Sequence, residues 1–279
     1  MQSLPTTRVP CPYCFGNEAT LSWRGFFFGA CKKTDICNSK MHCCKTFFCL
    51  PLYQVKQTNK PNMKSIISLE NNTFGGVNYT TCHQGKMSGI FSLSTSVNIN
   101  KHCLARRDNP NLICSKCFAV KYTKIRRNLE IRLQANTKLL NERILTNAEM
   151  PIIPTLYFRF ESFGDLQSET QVINYFNIAK SNPNVHCALW TKNLVYIKGA
   201  IAKGYKVPKN LQIVFSSPIL NKEIDITKLP SFVNKVFSVF DGNTIETKGI
   251  KINCGGKNCL ACGLCYNQNK VTYIREKVK

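Results

Sequence analysis

The sequence has no run of apolar residues approaching the roughly 18 that a membrane-spanning helix needs, so no such helix is expected. Its first residues, 1–5, lack a basic stretch followed by an apolar one, and we therefore expect no secretory signal peptide. Acidic residues are scarce, since 15 Asp and Glu stand against 38 Lys and Arg. These features predict a basic cytoplasmic protein that makes no contact with a membrane.

The net charge of +23 attracts polyanions, which makes nucleic acid an expected partner. Two features favour the alternative that the charge is an effect of composition alone. The lysines are spread along the chain without a dense block, and Lys, Asn and Ile are abundant together, as an AT-rich genome would produce. Charge alone predicts non-specific attraction and neither a binding site nor an oligomeric state.

Sixteen cysteines are the strongest compositional signal. Without a secretory signal, and with Cys-x2-Cys spacing recurring, they favour metal binding over disulfides. They divide the chain into a Cys-rich extension (1–62), a central domain (63–250) and a Cys-rich C-terminal segment (251–279). In the extension, Cys11, Cys14, Cys31 and Cys37 could close a zinc site, although their spacing is irregular and a poorly ordered extension is the alternative.

Apolar segments alternate with helical patterns through the central domain, which predicts β-α-β units and a parallel sheet. The predicted strands are 90–96, 155–161, 185–190, 211–215 and 235–240. We expect an α/β fold in which the sheet curves into a partial or complete (β/α) barrel, with a doubly wound sheet as the alternative. One long amphipathic helix is predicted after Cys117, with this apolar stripe: Phe118, Tyr122, Ile125, Leu129, Leu133, Leu140 and Ile144.

Polar residues follow the predicted strands, at the edge where α/β folds bind ligands. We expect cofactor contacts there from Glu161, Asp165, Thr191, Lys192 and Ser217. Capping of turns and helices is the alternative role for Asp165, Thr191 and Ser217.

Two later cysteine groups predict metal sites of different kinds. Cys103, Cys114 and Cys117 follow the first predicted parallel strand, and three thiolates on a four-iron cluster would leave one iron open. Cys254, Cys259, Cys262 and Cys265 supply four thiolates within twelve residues, which suits a closed cluster or a closed zinc site. The sequence therefore predicts one or two 4Fe–4S clusters, with zinc as the alternative.

Three motifs resemble the phage "gene product 88" family: residues 85–95 (Gly-Lys-Met-Ser-Gly-Ile-Phe-Ser-Leu-Ser-Thr), residues 114–119 (Cys-Ser-Lys-Cys-Phe-Ala) and residues 158–165 (Phe-Arg-Phe-Glu-Ser-Phe-Gly-Asp). The closing Cys-rich segment is similar as well. The resemblance covers about residues 63–279 and leaves the first 62 unmatched. It implies a phage or prophage protein acting in the host cytoplasm, and no particular activity.

The chain more distantly resembles radical S-adenosylmethionine enzymes, in which a cysteine loop after the first strand of a partial barrel holds a four-iron cluster. Cys103, Cys114 and Cys117 match in place, although the first gap is ten residues where that family has three. The resemblance implies an iron–sulfur enzyme with S-adenosylmethionine as cofactor, and our first hypothesis is such an enzyme acting on a nucleic acid or nucleotide. The second hypothesis is a zinc-stabilised, basic nucleic-acid-binding phage protein without catalysis.

Overall fold

The computed structural model describes residues 72–82 and 85–278. Their strands form one eight-stranded sheet whose spatial order follows the chain without a reversal. The strands are β1 (Thr73–Phe74), β2 (Val77–Thr81), β3 (Phe91–Leu93), β4 (Tyr157–Phe160), β5 (His186–Thr191), β6 (Leu211–Ser216), β7 (Lys235–Phe240) and β8 (Tyr273–Lys277).

The sheet is antiparallel at one end and parallel from β3 to β8. A doubly wound sheet reverses its strand order at a switch point, so the unreversed order excludes that alternative. Among the described residues β1 and β8 are the two edges, so the sheet is open and the expectation of a complete barrel is wrong. That the open sheet curves into a partial barrel stays a prediction.

Helices connect the parallel strands. They are α1 (Lys101–Arg107), α2 (Phe118–Ile125), α3 (Arg127–Glu142), α4 (Glu169–Ser181), α5 (Val195–Ala202), α6 (Gly242–Lys248) and α7 (Cys259–Cys262). Short 3-10 helices cover Ile113–Lys116, Asn147–Glu149 and Ile226–Lys228. In the part of the chain that the structure describes, no helix has the length and apolar character needed to cross a membrane.

The single long helix predicted after Cys117 is wrong. Arg126, at φ −109° and ψ 78°, leaves the helical conformation and separates α2 from α3. Only the later part of the predicted apolar stripe reaches the core, where Leu133 and Leu140 are buried. Its first members on α2 are exposed, because the break gives the two helices separate orientations.

Alternate residues of each strand point to opposite faces of the sheet. Phe158, Leu189 and Ile213 lie on the face that α4 and α5 cover. Tyr157, Ala188 and Val214 lie on the other face, where the C-terminal segment packs through Tyr266 and its cysteines. β8 comes from that predicted C-terminal segment and pairs with β7, so the segment contributes to the main sheet.

Candidate functional site

The carboxyl end of β4 carries the residue with the least usual backbone near the predicted site. Glu161 has φ +56°, in the left-handed region that residues other than glycine rarely adopt. Its N–H donates to the carbonyl of Leu93 over 2.9 Å, which continues the pairing of β3 with β4 by one residue. Backbone strain of this kind is often concentrated at functional sites.

The Glu161 carboxylate is buried and surrounded by donors. Tyr175 donates its hydroxyl to Oε1 over 2.5 Å, and Gln171 donates its amide to the same oxygen over 2.6 Å. Thr95 donates its N–H to Oε2 over 3.2 Å and its hydroxyl to Oε1 over 3.0 Å. Burial raises the pKa of Glu161 to about 7, the Tyr175 hydrogen bond opposes that rise, and the nearby charge of Asp165 adds to it.

Gly164 explains why the loop after Glu161 takes this tight form. A Cβ atom on Gly164 would lie 2.6 Å from the carbonyl oxygen of Thr95 and 2.8 Å from Glu161 Oε2. Real Cβ contacts are never this short, so only glycine lets the loop approach the Thr95–Glu161 pair.

Asp165 joins the ends of β4 and β5, as predicted for residues at one edge of a parallel sheet. The hydroxyl of Thr191 donates to Asp165 Oδ1, and the N–H of Lys192 donates to Oδ2 over 3.0 Å. The structure therefore brings Glu161, Asp165, Thr191 and Lys192 into one region. Ser217 instead donates to the carbonyl of Lys222 over 2.6 Å, within its own turn.

Asn100 fixes the first cysteine of the three-thiol group against the Asp165 loop. Its side-chain amide donates to the Asp165 carbonyl over 2.8 Å. Its side-chain oxygen accepts the N–H groups of His102 and Cys103, over 2.9 and 3.2 Å, and so caps α1. Cys103 therefore lies on a short helix rather than on the loop that the sequence predicted.

The thiols of Cys103 and Cys117 lie close enough to interact. Burial raises the pKa of the Cys103 thiol, and the charges of Asp165, Glu161 and Cys117 raise it further. Cys114 lies one 3-10 turn before Cys117, whose N–H donates to the Cys114 carbonyl over 3.2 Å. The segment predicted to hold a metal therefore places Cys103 near both predicted carboxylates.

His102 precedes Cys103 in the chain and is a nitrogen donor that could join these thiols. Its Nε2 is buried, has no hydrogen-bond partner and lies 4.0 Å from Asp165 Oδ2. Burial lowers the pKa of His102, with Arg106 and Lys192 adding to that effect and Asp165 opposing it. A lowered pKa keeps the imidazole neutral, which is the form that binds metals.

The four C-terminal cysteines line one small pocket on the opposite face of the sheet from α4 and α5. Cys254, Cys259, Cys262 and Cys265 share its wall with Tyr266. Burial raises the pKa of Cys265 to about 12, and the neighbouring thiols raise it as well. Tyr266 stacks on Tyr157 of β4, with ring centroids 4.9 Å apart, and so anchors this segment to the sheet.

Two cations lie near these thiols, Lys86 from the turn before β3 and Arg159 from β4. Lys86 Nζ lies 2.8 Å from Cys254 Sγ and 2.7 Å from Glu276 Oε1. The guanidinium of Arg159 lies over the Trp190 ring, 4.2 Å from its centroid. Burial raises the pKa values of Cys259 and Cys265, and the charge of Arg159 opposes that rise. A thiolate-metal centre needs cations of this kind near its negative charge.

The donors in both groups fit a thiophilic metal, because all seven thiols are free and none is fully buried. Within residues 72–82 and 85–278, however, no three His, Cys, Asp or Glu side chains converge as a metal site would require. Metal binding at either group would therefore draw its thiols together, and would displace their protons. Cys11, Cys14, Cys31 and Cys37 lie outside the described residues.

Sequence reasoning missed the residues that position the predicted ones. Thr95, Gln171 and Tyr175 enclose Glu161, while Asn100 joins α1 to the Asp165 loop. One signal was present in the sequence, since Ser168 followed three residues later by Gln171 has the spacing of a capping box, and Ser168 accepts the Gln171 N–H over 3.1 Å. That cap starts α4 in the register that points Gln171 and Tyr175, one helical turn apart, at Glu161.

Comparison with known protein families identifies the family of this chain. The family model described as Gene product 88 matches residues 29–277. The match begins well before residue 63, so the expectation that the first 62 residues lie outside the family is wrong for residues 29–62. No curated protein and no solved structure matches the chain.

Proposed function

This chain belongs to the Gene product 88 family, and from that premise we propose that it is an iron–sulfur enzyme similar in organisation to radical S-adenosylmethionine enzymes. The family description names no activity, so the proposal depends on the site. Cys103, Cys114 and Cys117 would hold a cluster at the carboxyl edge of the parallel strands.

One observation carries the proposal: the three-thiol segment follows β3, the first parallel strand, and Cys103 interacts with Asp165 and Glu161 at the end of β4. The parallel strands follow one another in chain order from there. In folds of this kind, ligands bind beside the carboxyl ends of the strands. Fold likeness alone would not support a function, whereas the type and position of these donors do.

When bound, a four-iron cluster on three thiolates would supply an electron and leave one iron for a small-molecule ligand. The chain's own residues would shape the space beside it. Asp165, fixed by Thr191 and the Lys192 N–H, would orient a cationic or hydrogen-bonding group of that ligand. Glu161 would act indirectly, because its oxygens are already occupied by Thr95, Gln171 and Tyr175.

The C-terminal group would be a second, closed centre. Cys254, Cys259, Cys262 and Cys265 provide the four ligands that structural zinc or a closed cluster needs. Cys254 also forms an isolated parallel bridge with Glu276 of β8. Closing this centre would therefore tie the last strand to the segment that covers the sheet.

Anaerobic purification followed by metal and sulfide analysis tests the proposal. An iron–sulfur protein would be brown, with absorption near roughly 400 nm, and would contain iron and acid-labile sulfide. A colourless protein that contains zinc alone would overturn the proposal. That result would favour a zinc-stabilised, basic nucleic-acid-binding protein without catalysis, for which the net charge of +23 is the supporting observation.

A further inference from the structure

Three aromatic rings form a row on the surface beside the three-thiol segment. Phe118 of α2 lies between Phe163 of the Glu161–Asp165 loop and Tyr122, one helical turn further on. The ring centroids of Phe163 and Phe118 are 5.9 Å apart, and those of Phe118 and Tyr122 are 6.1 Å apart. Phe118 is 58% exposed and Tyr122 45% exposed, so their faces are open to a ligand.

Packing against the core does not explain why these three rings lie together. Apolar residues three and four apart on a helix normally share a buried face, and Ile125 continues this one with 73% exposure. The break at Arg126 leaves the whole α2 stripe outside the core. Large exposed apolar side chains grouped in this way mark an interaction site more often than chance exposure.

Cations flank the row along the chain, and no ion pair neutralises them among the residues that the structure describes. The chain has no acidic residue between Asp108 and Glu130. That interval contains five exposed cations, which are Lys116, Lys121, Lys124, Arg126 and Arg127. None of the five pairs with a carboxylate in the described part of the chain. Arg126 instead lies over the Tyr122 ring, 5.4 Å from its centroid.

We infer that this surface, Phe118, Tyr122 and Phe163 with the five cations, binds single-stranded nucleic acid. Exposed rings stack on successive bases, and the lysines and arginines between them neutralise the phosphates. Paired bases offer no free faces to the rings, so duplexes bind more weakly. The surface borders Cys117 and the Asp165 loop, and it would deliver a strand to the proposed centre.

A membrane surface is the other ligand that a basic helix with an apolar stripe could meet. α2 has only eight residues and its apolar stripe has three members, which is little area to insert into lipid. Phe118 and Tyr122 also meet edge to face, at 82°, a geometry in which the pair covers only one face of one ring. Stacking on bases uses uncovered ring faces, so the observations favour nucleic acid.

Fluorescence anisotropy with labelled oligouridylate and oligothymidylate tests the inference on the full chain. The double variant F118A/Y122A should weaken binding about tenfold or more, because each lost ring removes one stacking platform. The double variant K121Q/K124Q should weaken binding. It should also reduce the slope of the logarithm of the binding constant against the logarithm of salt concentration by about 1 to 2, because it removes one or two phosphate contacts. Thermal melting confirms that each variant is folded.

Matched control variants replace side chains of the same two types, apolar and cationic, at other positions. I152A/L156A removes two exposed apolar side chains that precede β4, and K206Q/K209Q removes two exposed charges that precede β6, so both changes lie before the amino ends of strands and not at their carboxyl ends. Both should bind like the native protein. Equal loss in the controls, equal binding of duplex DNA, or binding only to vesicles of phosphatidylcholine with phosphatidylglycerol would overturn the inference. Binding is measured on the protein as purified, and the expected result does not depend on which metal the cysteine groups hold, so it stays separate from the fate of the cluster proposal.

Discussion

Tyr175 donates its hydroxyl to Glu161 Oε1 over 2.5 Å, and both side chains are buried. The bond joins α4 to the end of β4 and holds a carboxyl group whose backbone is itself strained. A buried carboxylate is costly when ionised, and the donors around Glu161 offset only part of that cost. The site is therefore sensitive to pH, which gives the first prediction.

The stability of the native protein should fall relative to Glu161→Gln as the pH rises from 5 to 8. Burial raises the pKa of Glu161 from 4.5 to about 7, so between these values the folded state holds a proton that the unfolded state has released. Stability is thus lost as the pH rises through this window, by about 3 kcal/mol. Urea unfolding at several pH values measures the difference.

The exposed Glu246→Gln is the control, and its unfolding free energy should follow that of the native protein at every pH. A constant difference between the native protein and Glu161→Gln across the window would show that Glu161 does not titrate there.

Gly164→Ala should destabilise the protein by about 3 kcal/mol, because its Cβ would collide with Thr95 and Glu161. Gly242→Ala is the matched control, since the nearest atoms to its Cβ lie at 3.8 Å, on the flexible end of Lys277. Thermal unfolding compares the two. Similar melting temperatures for both variants would contradict the close approach of the loop to Thr95.

Lys86→Met should slow alkylation of Cys254 in the metal-free protein. Burial raises the pKa of this thiol and Lys86 lowers it, so removing the ammonium raises the pKa and reduces the thiolate fraction. Lys257→Met, at an exposed lysine lining the same pocket, should leave the rate unchanged. Mass spectrometry after timed iodoacetamide treatment measures the alkylation rate of Cys254. An unaltered alkylation rate in Lys86→Met would show that Lys86 does not lower the pKa of Cys254.

Cys259→Ser and Cys262→Ser should each lose the metal of the C-terminal group and lower the melting temperature, because metal binding and folding are coupled there. Cys187→Ala removes a buried thiol from the core on the other face, so it should lower stability while keeping the full metal content. Metal analysis combined with melting curves separates loss of the metal from loss of core packing. Full metal content in the Cys259 and Cys262 variants would count against a centre at this position.

The sequence predicted the central strands well because buried parallel strands are apolar nearly throughout, and β7 has its predicted bounds. β8 was missed because Tyr273–Lys277 has two apolar residues followed by three charged ones, and so shows neither the apolar run of a buried strand nor the alternation of a half-buried one. The break at Arg126 was missed because no Pro or Gly marks it. The partners of Glu161 could not be predicted, since tertiary packing alone brings Thr95, Gln171 and Tyr175 together.

The central claim is that Cys103, Cys114 and Cys117 hold a cluster with one iron lacking a protein ligand. Electron paramagnetic resonance of the reduced, anaerobically reconstituted protein, with and without S-adenosylmethionine, tests it most directly. The account predicts that the cofactor changes the spectrum, and that the C103A/C114A/C117A variant loses this response while keeping the C-terminal centre. An unchanged spectrum from a fully loaded cluster, or a response that survives in the triple variant, would contradict it.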